Sequence, residues 1–159
     1  MIFVNHSPFT GTLPYRIYEW GRNKLELGGL IQSVKVYGYR HHAFRGRAWR
    51  LRRSVIVRVN PTTRYYPLCQ RYRKAAPFYR LNDCYDGLAY VMIHELAHFA
   101  DWRDRGELNT TRRVDQRGME TRVENITIPL LEEFQQNREL IFDVWKFTPE
   151  RCLMRAMPC

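Results

Sequence analysis

Residues 88 to 100 read Leu88-Ala89-Tyr90-Val91-Met92-Ile93-His94-Glu95-Leu96-Ala97-His98-Phe99-Ala100. No Gly or Pro interrupts the chain from Leu88 to Asp104, so the run is long enough and apolar enough for a buried helix. The spacing predicts that helix over about Asp86 to Arg103. On its wheel His94, His98, Val91, Asp101 and Arg105 share one side, and Leu88, Met92, Ile93, Leu96, Ala97 and Phe99 cover most of the rest. Two histidines on a surface helix need little explanation, whereas two on a core helix need partners. Four residues apart, both rings reach toward one metal ion, and Glu95 between them lies where it can accept a proton from a metal-activated water. The chemistry this arrangement points to is metal-assisted hydrolysis, with Zn2+ as the ion best suited to neutral imidazoles.

A catalytic zinc needs a third protein ligand. The five histidines are His6, His41, His42, His94 and His98, so no histidine follows His98. A downstream carboxylate is the better candidate, ahead of a cysteine. Met119, Val123, Ile126, Leu130 and Phe134 recur at helical spacing, which predicts an amphipathic helix beginning near Asp115 or Gln116. Glu120 and Glu124 sit one turn apart beside that stripe, where burial requires a cation or hydrogen-bond donors. Either could reach the metal, and either could instead pair with Arg113, Arg117 or Arg122 on a solvated face. Asp101 and Asp104 are weaker ligand candidates, since they share the histidines' helix and would have to fold back; Asp101, on the His98 side, is a candidate to support that histidine from behind or to pair with Arg105.

The HExxH motif followed some 20 to 30 residues later by Glu-x-x-x-(Asp/Asn) resembles the gluzincin metallopeptidases, and among them the small intracellular members with minimal zincin domains. The resemblance covers roughly residues 86 to 135. It implies Glu120 as the third zinc ligand and Glu124 as the residue that orients one histidine. Two positions depart from the family pattern: Glu124 stands where Asp or Asn is usual, and Val123 where a small Ala is usual. The longer Glu124 side chain keeps the alternative open that Glu124 itself is the ligand. The resemblance also implies an edge strand beside the metal helix that holds an extended peptide by main-chain pairing.

Outward from the motif, the sequence predicts an α+β fold in one zincin-like domain spanning 1–159. Its basic, sheet-bearing half is 27–82 and its metal-site half 83–147. A helix is expected over Pro14 to Leu27, stopped by Gly28-Gly29. A strand from Ile31 to Arg40, a polar turn over His41 to Gly46 and a return strand from Ala48 to Asn60 predict a small antiparallel sheet. Residues 61 to 83 hold Pro61, Pro67 and Pro77 and read as a long irregular connection able to cover the site. Beyond the ligand helix, Pro129 either kinks it or opens a C-terminal helix through Trp145, and a poorly ordered tail is expected from Thr148.

Charge is unevenly spread within the net +10. Residues 27–82 contain 13 Lys or Arg and no Asp or Glu, with tyrosine, tryptophan and phenylalanine interleaved. This suits nucleic acid or an acidic protein partner equally, and it also suits a solvated sheet face. The expected partner is a protein or peptide substrate, acidic or associated with nucleic acid. The alternatives are a nucleic-acid-binding or regulatory protein with a zincin-like core and no hydrolysis, and a metal that merely staples two helices. Retention of Glu95 argues against both. Cys69, Cys84, Cys152 and Cys159 show no CxxC spacing and are expected as free thiols. No signal peptide or membrane span is expected, and a cytoplasmic setting follows.

Overall fold

The structure, a computed structural model, describes residues 1–70, 78–110 and 115–141. The elements run β1 (Ile2–His6), α1 (Leu13–Lys24), β2 (Ser33–Gly38), β3 (Phe44–Trp49), β4 (Ser54–Val59), a 3-10 turn (Thr63–Tyr65), β5 (Leu68–Gln70), β6 (Tyr79–Leu81), α2 (Cys84–Asp104) and α3 (Gln116–Ile141). The α+β expectation holds, but the sheet is mixed rather than antiparallel. Its order is β1-β2-β4-β3, with β1, β2 and β4 parallel and only β3 antiparallel, at the edge. β5 and β6 form a separate antiparallel pair in the stretch expected to be irregular.

Two local features explain the correction. The strand expected over Ala48 to Asn60 is in fact the end of β3, a turn and β4, and the turn is closed by Arg53 with φ +47°. The segment expected as a polar turn contributes the first half of β3, because Phe44, Gly46 and Ala48 face inward while Arg45 and Arg47 alternate outward. With β3 inserted, β2 and β4 lie side by side in the same direction.

α2 packs against β3 and β4 on the face of this sheet that carries the buried Val34, Val36, Val55, Val57 and Val59, and α1 and α3 pack against α2. α2 is central and buried from Cys84 to Trp102. α1 crosses it closely at Gly21, where an added Cβ would stand 3.0 Å from Leu96 Cδ1. α1 meets α3 through Trp20 and Phe134, with ring centres 5.7 Å apart. α3 begins where the sequence places it and continues through Pro129 to Ile141, so no separate C-terminal helix opens there. Proline removes the hydrogen bond to the Asn125 carbonyl, and Asn125 is exposed, where water can replace it. Val144, Trp145, the tail, Arg113, Cys152 and Cys159 lie outside the described residues. Among the described residues neither Cys69 nor Cys84 is in a disulfide. Among the described residues no helix is long and apolar enough to cross a membrane.

The start of α2 is fixed by Asp83, whose Oδ1 accepts from the Tyr85 and Asp86 amides at 2.9 and 3.0 Å. Its other oxygen accepts from Arg138 at 2.8 Å, tying the end of α3 to the start of the metal helix. Asp83→Ala is expected to cost about 1–2 kcal/mol of stability, read by urea denaturation. An unchanged midpoint would show that the cap carries no weight.

Candidate metal centre

His94 and His98 project from α2 toward Glu120 on α3. Their Nε2 atoms lie 3.4 Å and 3.8 Å from the Glu120 carboxylate oxygens. The candidate ligand atoms of His94, His98 and Glu120 all fall within 4.8 Å of one another. Donors about 2.1 Å from one tetrahedral ion stand roughly 3.4 Å apart, so the donor set and its spacing fit a zinc-sized ion.

Glu124 occupies a different position. It is wholly buried, and its Oε1 lies 3.1 Å from Nδ1 of His94, the nitrogen on the far side of that ring from Glu120. The same oxygen accepts a 2.6 Å hydrogen bond from the Tyr90 hydroxyl. Glu124 lies inside the buried stripe of α3 rather than on its flank, because the stripe runs through Met119, Val123, Thr127, Ile128, Leu131 and Phe134. Ile126 and Leu130, expected in the stripe, are only partly buried.

Asp101 neither approaches His98 with a hydrogen bond nor pairs with Arg105. Its two oxygens accept from Arg122 Nε and Nη2 at 2.6 and 2.9 Å, a two-pronged clamp between α2 and α3. Arg105 pairs with Glu107 instead. Arg122 is therefore engaged away from Glu120 and Glu124.

Glu95 points to the sheet. An added Cβ on Gly46 would meet its Oε1 at 2.1 Å, so the carboxylate sits against the bare backbone of the edge strand. The Ala48 amide donates to it. Burial raises the Glu95 pKa to about 7, opposed by the charge on His94 and reinforced by Glu120. Burial disfavours charge on His94 too, yet hydrogen bonds to Glu120 and Glu124 outweigh it and lift that pKa to about 10. His98 is held down to about 4 by burial and then by the neighbouring His94 charge, so it is a neutral imidazole at ordinary pH.

These groups open into a cleft of about 570 Å³ between β3 and α3, floored by α2. Tyr79 of β6 forms part of its wall and stacks on Tyr90 at 4.4 Å, while Trp102 stacks on His98 at 5.5 Å. The Trp102 indole also reaches Met119 Sδ at 3.2 Å, fixing α3 just ahead of Glu120. Sequence reasoning missed Tyr90, Trp102 and Gly46. The first two were marked by spacing: Tyr90, His94, His98 and Trp102 recur every four residues along one side of α2. Gly46 carried its signal only as the small member of an inward alternation in β3.

No known protein family, curated protein or solved structure matches this chain.

Proposed function

We propose that this protein is a zinc-dependent peptidase. The observation that carries the reading is the convergence of His94, His98 and Glu120 in a cleft that also holds Glu95 beneath an edge strand. His94 and His98 would hold the ion through Nε2 and Glu120 through its carboxylate. Bound there, zinc supplies the Lewis acid that activates water and polarises a carbonyl at neutral pH. Glu95 is the general base: its carboxylate, buried beside the histidines, accepts a proton from water and returns it to the leaving amine. Glu124, backed by Tyr90, orients His94 through Nδ1 and keeps its Nε2 facing the other two ligands. β3 is an edge strand, so an extended peptide can pair with its free main-chain groups beside Glu95.

The test is hydrolysis of denatured casein by protein loaded with one equivalent of zinc. Cleavage that a chelator stops and added zinc restores is expected. A zinc-loaded protein that leaves casein intact, and that also leaves a library of short peptides intact, would remove the peptidase reading.

Zinc affinity should depend on pH with a definite sign. The raised His94 pKa means that this ring carries a proton throughout the neutral range, and it must give that proton up to hold the ion. His98, lowered to about 4, has none to give. Affinity is therefore expected to rise about tenfold per pH unit between about pH 6 and 8, measured by competition with a chelating dye. A flat profile would show that His94 is not the group displaced.

A further inference from the structure

The sheet has a second face, on the side away from the helices. Strand register places Tyr37, Arg58 and Arg45 in one row across β2, β4 and β3, with Lys35 and Arg47 in the next row. Trp49 lies opposite Ser54 at the end of β3. None of these residues is buried, and among the described residues no helix packs over them. No Asp or Glu occurs in residues 1–18 or 27–82, so the four strands of this sheet carry no carboxylate. Among the described residues Lys35, Arg45, Arg47 and Arg58 form no ion pair.

Two details separate this face from a merely solvated one. Arg45 and Arg58 stand directly opposite each other across the β3–β4 ladder, and like charges in that relation destabilise a sheet. A polyanion laid over them relieves the repulsion. The cations are also set against rings: the Arg47 guanidinium lies 5.0 Å from the centre of Trp49, and that of Arg58 lies 5.7 Å from Tyr37. His6 stacks on the same Tyr37 at 5.3 Å and 19°. Guanidinium groups interleaved with aromatic rings match a ligand whose negative charges alternate with flat bases. A duplex hides those base faces, and a single strand offers them.

We propose that the open face of the four-stranded sheet binds single-stranded nucleic acid, with Lys35, Arg45, Arg47 and Arg58 on phosphates and Tyr37 and Trp49 stacking on bases. The site is independent of the metal centre, although β3 serves both. Along β3 the side chains of Arg45, Arg47 and Trp49 alternate to the open face while Gly46 and Ala48 face Glu95, although the strand borders the cleft at all five positions. A bound strand would therefore lie on the opposite side of the sheet from the metal cluster.

The experiment is fluorescence anisotropy of a labelled oligothymidylate of about twelve nucleotides, titrated with the full chain. Four phosphate contacts predict that affinity falls about 50-fold when salt rises from about 50 to about 200 mM. The Arg45→Ser, Arg47→Ser, Arg58→Ser triple variant is expected to bind at least about tenfold more weakly. Trp49→Leu, a smaller change at the edge, is expected to weaken the oligonucleotide about fivefold and leave heparin, a polyanion without bases, unchanged. Circular dichroism confirms that each variant is folded. Absence of binding at low salt overturns the proposal, and so does binding that the arginine variant retains. A Trp49→Leu variant that loses oligonucleotide and heparin alike, or loses neither, assigns the face to polyanions in general. Preferential binding to phosphatidylserine vesicles assigns it to a membrane surface. Either result removes the nucleic-acid reading.

Discussion

Glu120→Ala is expected to weaken zinc binding by about a thousandfold, while Glu124→Gln weakens it by about 10–100-fold. The difference comes from which side of the His94 ring each carboxylate occupies. Glu120 meets Nε2 of both histidines, at 3.4 and 3.8 Å, so all three donors face one point. Glu124 meets Nδ1 of His94, and one imidazole cannot turn both nitrogens to the same ion. Losing Glu120 removes one of the three candidate protein donors that converge among the described residues. Losing the charge of Glu124 leaves the donors in place but releases the His94 ring, which Tyr90 and Glu124 together hold. Both affinities are read by competition with a chelating dye, with fold checked by circular dichroism. If Glu124→Gln proves the more damaging change, the ligand lies one turn further along α3 and Glu120 becomes a cleft-wall carboxylate. Glu120→Asp provides a second reading, since it keeps the charge and shortens the reach. An affinity between wild type and Glu120→Ala is expected there.

The parts of this arrangement visible in the sequence were those encoded within one helix. α2 was legible because an apolar run without Gly or Pro has no stable alternative to a buried helix, and the register of His94, Glu95 and His98 follows from helical geometry alone. The start of α3 was legible for the same reason. Pairing between elements was not. β2 and β4 read equally well as a hairpin or as parallel neighbours, because inward valine alternation does not depend on strand direction. β3 is hidden by composition: between Phe44 and Trp49 the run Arg-Gly-Arg-Ala has little β-propensity, and its pattern appears only once Gly46 and Ala48 are known to lie beside Glu95. The Asp101 partner is not legible in sequence, because Arg105 at i+4 on the same helix competes with Arg122 on another. Only the packing of α2 on α3 decides that competition. With Ile126 and Leu130 in the apolar stripe, Glu124 falls on its flank. Their partial exposure rotates the stripe and carries Glu124 into the core.

The placement of Glu95 leads to the second large effect. Glu95→Gln is expected to retain zinc within about twofold and to lower kcat by about 10²–10⁴ on casein, because the amide cannot accept the proton from water. Gly46→Ala should move activity the same way without touching an ionisable group. Its new Cβ would stand 2.1 Å from Oε1, 2.5 Å from Cγ and 2.6 Å from Cδ of Glu95. Neither partner can retreat easily. Glu95 is 5% exposed on a helix packed from both sides, and Gly46 is fixed in register opposite Val57. The carboxylate must therefore swing away, giving up its bond from the Ala48 amide and its place beside the histidines. A loss of about 100-fold in kcat with zinc content unchanged is expected, since displacing a general base by about 1 Å costs that order. Full activity in Gly46→Ala would mean that the Glu95 carboxylate works from some other position. Loss of zinc together with activity would mean that the methyl disturbs the helix and both histidines, and that the edge strand positions the metal site as well as the base.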